Sequence, residues 1–268
     1  MTTILQLKQT DMKTIGFIGG GRITRILLNG LKNAGIPFEN IHVYEINETV
    51  SNALKTDYPG IEISGTDRAK AASADWVFIA LHPPVLMDTL TTIKGFIRKN
   101  ALVISLAPKI TIDKIQSVLT DVTNIARMNP NAGTYVNKGY NPVCFAQSTD
   151  KNITEEYLAI FEKLGKAPVV PEEQIEAFAM ISAMGHTYFW YQLQQLKELG
   201  LSYGLSESES NESISAMLWG TTETLFNSGL DYDKVVDLVP VKPMAEHENT
   251  IKDYYKSCLN GLYQKIKP

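Results

Sequence analysis

Cysteine is scarce in this chain, with two in 268 residues, Cys144 and Cys258. They lie far apart and match no zinc or redox spacing. A disulfide scaffold, a zinc ribbon and a thiol–disulfide enzyme are therefore excluded, and two reduced thiols are expected. Long apolar runs are also missing: no stretch approaches the roughly 18–20 apolar residues that a membrane-spanning helix needs. Nor does positive charge dominate. Lys and Arg number 25 against 29 Asp and Glu, a net charge of −4, which gives no electrostatic footing for nucleic acid. The first residues, "MTTILQLKQTDMK", hold no basic segment followed by an apolar stretch, so a cytoplasmic protein without a secretion signal is expected. P-loop, Gly-x-Ser-x-Gly and His-Glu-x-x-His motifs are absent. His247, between Glu246 and Glu248, has no metal-ligand spacing, and no metal is expected.

What the chain does have is an alternation of strand and helix signals over its first 170 residues. Strands are expected at 14–18, 41–44, 61–64, 76–81, 102–106, 124–127, 143–146 and 168–170, with helices such as 22–34, 47–57 and 85–96 between them. Several strand runs are continuously apolar, as in parallel strands covered on both faces. The βαβ order predicts an α/β fold with a doubly wound sheet. After Pro171 the strand signal stops. Residues 172–199 read as one long helix, apolar on nearly every face, which predicts burial in a core or at a subunit interface. Ser206 with Glu209 forms a capping box for a second helix ending near Gly229. A short helix at 232–238 stops before Pro240, and a last one covers 245–266. The expected organisation is an N-terminal extension (1–11), a Rossmann-type domain (12–170) and an all-helical domain (171–268).

"FIGGGRIT", from Phe17 to Thr24, joins the first strand to the first helix. Gly19 permits the tight turn and Gly21 lets a pyrophosphate approach the backbone at the helix N-terminus. Arg22 and Ile23 open that helix at the same mouth. The third small position of the fingerprint is Thr24, which sets the helix slightly farther from the strand. Glu45 ends the second strand at the spacing where an acid binds the adenosine ribose hydroxyls and repels a 2′-phosphate. The cofactor expected is NAD(P)H, with NADH favoured by Glu45. "ALHPPV" and "SLAPKI" end the next two strands, which places His82, Pro83, Ala107 and Pro108 along the cofactor channel.

The segments "IGFIGGGRIT", "ALHPPV", "VISLAPKITIDKI", "ARMNPNAGTYVNKGY" and "MISAMGHTYFWY" occur in an order that resembles the pyrroline-5-carboxylate reductases over about residues 13–265. The resemblance implies a Rossmann domain, a helical domain through which subunits pair as homodimers, and reduction of a cyclic imine carboxylate to proline with NADPH or NADH. The family's R-x-M-P-N-T-P looks like Arg127–Gly133, with Asn131 as a contact near the nicotinamide or as a turn former. Its S-G-S-G-P-A-Y looks like Ser182–Tyr188, where Met184 replaces a small serine and His186 a proline. Its substrate loop S-P-G-G-T-T falls on Val241–Glu246, where the glycines and threonines are lost. The lysine of its V-K-P segment is His82 here.

Hydride transfer needs a proton source for the acceptor's heteroatom. His186 suits that role at neutral pH, with Tyr188 and Thr187 as second choices; the alternative is a core or interface histidine. Helical spacing puts Ser182 and His186 on one surface. Ser182, Met184 and Lys242 are the substrate-binding candidates, Lys242 as a replacement for the lost carboxylate loop. The function expected is a reductase of a C=N bond in a small molecule. A hydroxy- or keto-acid dehydrogenase using His186, and a non-catalytic dinucleotide-binding protein, stay open as alternatives.

Overall fold

The computed structural model describes residues 13–36 and 41–268. The expected N-terminal extension, 1–11, lies outside the described residues. Contacts divide the chain into two units. The first holds the described residues up to Ala183 together with Lys265–Pro268, and the second holds Met184–Gln264. This division lies beyond the expected 170/171 boundary, and residues 172–176 are hydrogen-bonded to α5, β6 and the residue after β6 in the first unit.

The first unit runs β1 (Ile15–Ile18), α1 (Arg22–Asn33), β2 (Ile41–Tyr44), α2 (Glu48–Asp57), β3 (Glu62–Ser64), α3 (Ala69–Ala72), β4 (Trp76–Ile79), α4 (Pro83–Ile93), β5 (Leu102–Ser105), α5 (Ile112–Gln116), β6 (Asn124–Met128), β7 (Gly139–Tyr140), β8 (Val143–Phe145), α6 (Lys151–Phe161) and β9 (Gly165–Lys166). Seven strands form one sheet in the order β3-β2-β1-β4-β5-β6-β8. All neighbours are parallel except β6 and β8. The order reverses between β1 and β4, the crevice at which doubly wound sheets bind ligands.

The continuous apolar runs follow from cover on both faces. In β4, Trp76 and Phe78 pack into one core with Phe17, Tyr157 and Phe161, while Val77 and Ile79 enter the other with Ile18, Val103 and Ile125. α1 buries Thr24, Leu27, Leu28 and Leu31, a stripe at i, i+3, i+4 and i+7. The strand expected at 168–170 is not one. Val169 forms only a bridge to Val143, and the ladder nearby belongs to Gly165–Lys166. Pro168 has no N–H for a ladder; its carbonyl accepts from Val143 N–H instead.

The helix expected over 172–199 is broken. A 3-10 turn at Glu172–Gln174 leads into α7 (Ile175–Phe178), then a π-helical turn at Ala179–Ala183, and α8 (Gly185–Ser202) starts after a bend at Met184. In the π-helical stretch Ser182 turns its hydroxyl back onto the Phe178 carbonyl at 2.9 Å, a local bond that competes with regular helix. The second unit continues with α9 (Glu207–Asn227), α10 (Tyr232–Asp237) and α11 (Glu248–Ile266). The Ser206–Glu209 capping box is formed. Core burial of α8 is overturned: only Gly185 and Gly200 are buried on it, and Phe189, Trp190 and Tyr191 are exposed. No helix among the described residues is long and apolar enough to cross a membrane.

Candidate functional site

The glycine turn lies at the carboxyl end of β1. Gly19 has φ +105, and a Cβ there would fall 2.5 Å from the Ala80 carbonyl oxygen, so both backbone and neighbours require glycine. Gly20, which the fingerprint leaves unspecified, is nearly as constrained: a Cβ would meet Leu54 at 2.8 Å and Glu45 at 3.0 Å. Gly21 is different, with no atom within 4 Å of its Cβ position. It is the N-cap of α1, has no side chain to cap with, and is followed by no acid in the first turn. The first N–H groups of α1 therefore face open space with the positive end of the helix dipole behind them. These residues fit a pyrophosphate.

Thr24 fills the fingerprint's last small position by a route the sequence did not reveal. Its hydroxyl donates to the Gly19 carbonyl at 2.6 Å, fully buried. The added bulk is thus joined to the turn it crowds. Glu45, at the end of β2, accepts from the Gly20 N–H and from the Asn47 N–H, both at 2.7 Å. Two backbone donors fix its carboxylate against the glycine turn, and each oxygen keeps acceptor capacity for a hydroxyl. Ile46, Asn47, Glu48 and Thr49 follow, so no cation from that loop stands beside it. Arg25, one turn into α1, is paired with Asp57 at 2.6 Å.

His82 is the exposed N-cap of α4, with Pro83 opening the helix. Ala107 is buried at the end of β5. Gly19, Gly21, Arg22, Ile23, Glu45, His82, Pro83 and Ala107 therefore lie in or beside the loops leaving β1, β2, β4 and β5, along one edge of the sheet. Asn131 follows β6 on the same edge, but its amide is engaged in shaping the loop. It accepts from Gly133 N–H at 3.0 Å and donates to the Tyr140 carbonyl at 2.6 Å.

Arg127 has a larger role in the fold than its motif suggests. It is buried on β6 and pairs with Glu172 at 3.0 Å and with Glu176. Cys144 is its partner on β8, and burial, with Glu172 adding to it, pushes the thiol up to about 12. Neither glutamate was singled out from sequence. The available signal was Glu176 itself, an acid inside the otherwise apolar "IEAFAM".

Met184, His186, Thr187 and Tyr188 belong to the second unit and Ser182 to the first. The shared surface expected for Ser182 and His186 rested on an unbroken α-helix, and the π-helical turn and the bend between them remove that basis. The Thr187 hydroxyl donates to the Met184 carbonyl at 2.7 Å. His186 is half-buried and its ring lies 6.0 Å from that of Trp190. Burial, with Tyr255 adding to it, raises the Tyr188 phenol. Lys242 borders an apolar cavity of about 1120 Å³ within the second unit, lined also by Leu196, Tyr203, Met217, Tyr232 and Ile251. Among the described residues no cluster of His, Cys, Asp and Glu can hold a metal.

Residues 14–109 match the family model described as NADP oxidoreductase coenzyme F420-dependent. Over 258 residues the chain is 28% identical to a pyrroline-5-carboxylate reductase of Corynebacterium melassecola, covering 95% of this chain and 94% of the relative. The chain is thus similar to pyrroline-5-carboxylate reductases over nearly its whole length. The Escherichia coli reductase of that name is 26% identical over 229 residues, covering 85% and 84%. A solved pyrroline-5-carboxylate reductase from Coxiella burnetii has a TM-score of 0.68 at 25% identity, covering 96% of this chain and 95% of its own. The Plasmodium falciparum pyrroline carboxylate reductase, solved with NADP bound, shares the fold with a TM-score of 0.79 at 20% identity, covering 95% and 97%. The chain is an NAD(P)-dependent oxidoreductase.

Proposed function

We propose that this chain reduces a C=N bond in a small cyclic imine or imino acid by hydride transfer, with NADH as the preferred donor. The observation that carries the cofactor half is Glu45 held by the Gly20 and Asn47 N–H groups at 2.7 Å each. A carboxylate fixed there receives a ribose hydroxyl and repels a 2′-phosphate. The pyrophosphate falls to Gly19, Gly21, Arg22 and Ile23, with His82, Pro83 and Ala107 along the channel. When bound, the nicotinamide supplies the hydride. Support for an imine acceptor is the relationship to reductases of that name over nearly the whole chain.

The remaining assignments rest on residue chemistry. His186 is the proposed proton donor, with Thr187 and Tyr188 as alternatives, because an imidazole can both give and take a proton. Ser182, Met184 and Lys242 are proposed to contact the substrate, Lys242 by pairing with a carboxylate. Two copies are proposed to associate through the second unit, where Tyr203, Trp219 and Phe226 are each more than 70% exposed and would gain from cover by a second copy.

The test is reduction of five- and six-membered cyclic imine carboxylates, and of 2-oxo acids, with NADH and with NADPH. Imine turnover faster with NADH, shifted toward NADPH in Glu45→Ser, is the expected result. Turnover of oxo acids alone sinks the imine assignment, and an unchanged cofactor ratio in Glu45→Ser sinks the role of Glu45. Imine turnover that is undiminished in His186→Ala removes His186 as donor.

A further inference from the structure

We propose that Arg127, Glu172 and Glu176 are positioning residues that set the loop after β5 and thereby the affinity of the first unit for its dinucleotide. The inference rests on the cofactor reading above and extends it to residues that touch no cofactor. The Arg127 guanidinium reaches both carboxylates, Nη1 donating to Glu172 Oε1 at 3.0 Å and Nη2 to Glu176 Oε1. Each of those oxygens accepts a second bond, and both of these come from backbone at the far side of the loop. Lys109 N–H donates to Glu176 Oε1 at 3.1 Å, and Ile112 N–H to Glu172 Oε1 at 2.7 Å. One buried cation thus fixes two anions, and the anions fix the two ends of segment 109–112.

Lys109 has φ +70, a left-handed conformation that side-chain-bearing residues adopt rarely and keep only where surrounding bonds enforce it. Here the enforcing bond comes from Glu176. The residues just before it, Ala107 and Pro108, leave the carboxyl end of β5, on the sheet edge that carries the glycine turn. A second tie secures the glutamate segment just past the strand that carries Arg127, the Asn129 amide donating to the Ile175 carbonyl.

Stability alone accounts poorly for this arrangement. Arg127 Nε and Glu176 Oε2 are buried without hydrogen-bond partners, and a partly satisfied buried ionic network is generally less favourable than apolar packing of equal volume. The satisfied oxygens are the ones directed at the loop.

The test uses two variants of the full chain. Arg127→Met with Glu176→Leu replaces the pair by apolar groups and removes the acceptor for Lys109 N–H. Glu176→Asp keeps the charge opposite Arg127 but withdraws the oxygen by about 1.5 Å, one carbon–carbon bond. NADH binding is read by cofactor fluorescence, and loop order by amide hydrogen exchange at Lys109. Both variants are expected to bind NADH about tenfold more weakly, a difference of ~1.4 kcal/mol, with faster exchange at Lys109, raised KM for NADH and little change in kcat. Binding within about twofold of the parent in Glu176→Asp, or in the double variant where it folds, overturns the proposal. So does unchanged exchange at Lys109. A parent chain that binds no NADH, with Gly21→Trp no different from it, overturns the cofactor reading and the positioning role with it. Parent binding that Gly21→Trp abolishes and Glu176→Asp leaves intact overturns the positioning role alone.

Discussion

Thr24 allows hydrogen bonding and packing to be separated inside the cofactor turn. Its side chain is fully buried and its hydroxyl donates to Gly19 O at 2.6 Å. Thr24→Val keeps the shape and exchanges the hydroxyl for a methyl, leaving that carbonyl without its donor. A net hydrogen bond contributes about 1 kcal/mol, and a buried acceptor left unpaired costs about 1–3 kcal/mol, so a loss of ~1–2.5 kcal/mol is expected. Thr24→Ser keeps the donor and deletes one methyl. Its cost is about 0.8 kcal/mol of transfer plus a small cavity term, ~1 kcal/mol together. Valine should therefore be the costlier substitution. It should also weaken NADH binding by about fivefold, ~1 kcal/mol of turn order that binding must then supply, while serine leaves affinity within about twofold. Urea unfolding followed by Trp76 fluorescence in a Trp190→Phe, Trp219→Phe background reads the first unit, where Trp76 sits in the core. A serine variant less stable than the valine variant would show that packing, not the hydroxyl, governs Thr24.

Two further outcomes follow from the first unit. A Cβ at Gly16 would fall 1.8 Å from the Ala71 carbonyl oxygen, whereas at Gly60 it would meet nothing within 4 Å. Gly16→Ala should lose more than about 3 kcal/mol or fail to accumulate as soluble protein, and Gly60→Ala should stay within about 0.5 kcal/mol; equal melting temperatures would refute the close approach of β1 and α3. For Asp75, burial opposes ionisation, but the Thr14 N–H and hydroxyl, with Arg98, outweigh it and hold the carboxyl below its ordinary value of 3.8. A depressed pKa contributes stability that is present above the unfolded value and lost as pH falls through the folded one. The stability gap between the parent and Thr14→Val should thus be widest above about pH 4 and narrow below it. A gap that is constant with pH in urea titrations would contradict this.

The parallel sheet is legible in the sequence because it is enforced residue by residue. "WVFI" is apolar at every position, and "LVIS" at all but its last, since each strand has a helical layer on both faces. The glycine turn and Glu45 are legible for the same reason: their spacing along the chain is their spacing across one βαβ unit. The break between residues 172 and 199 is not local in this way. Glu176 is drawn to Arg127, 49 residues away, and no periodicity in the segment records that attraction. The apolar pattern of α8 predicts burial in a core or at an interface, but a hydrophobic period states only that a face is apolar. It does not state whether the same chain covers it, and here the described residues do not.

The departures from the family pattern differ in kind between the two units. In the first, a bulkier residue at position 24 arrives with a hydrogen bond to the turn it crowds, so the turn's geometry and its free N–H groups survive. In the second, the loop at Val241–Glu246 and its flanks have lost some backbone donors. Pro240 and Pro243 have no N–H. The Ala245 and His247 N–H groups are already committed to the Lys242 and Met244 carbonyls. The same loop carries one side-chain cation, Lys242. A row of N–H groups fixes both the position and the orientation of a planar carboxylate, whereas an ammonium on a flexible stem fixes neither closely. Were Lys242 to pair with a substrate carboxylate, as proposed above, selection there would rest less on geometry than at the glycine turn.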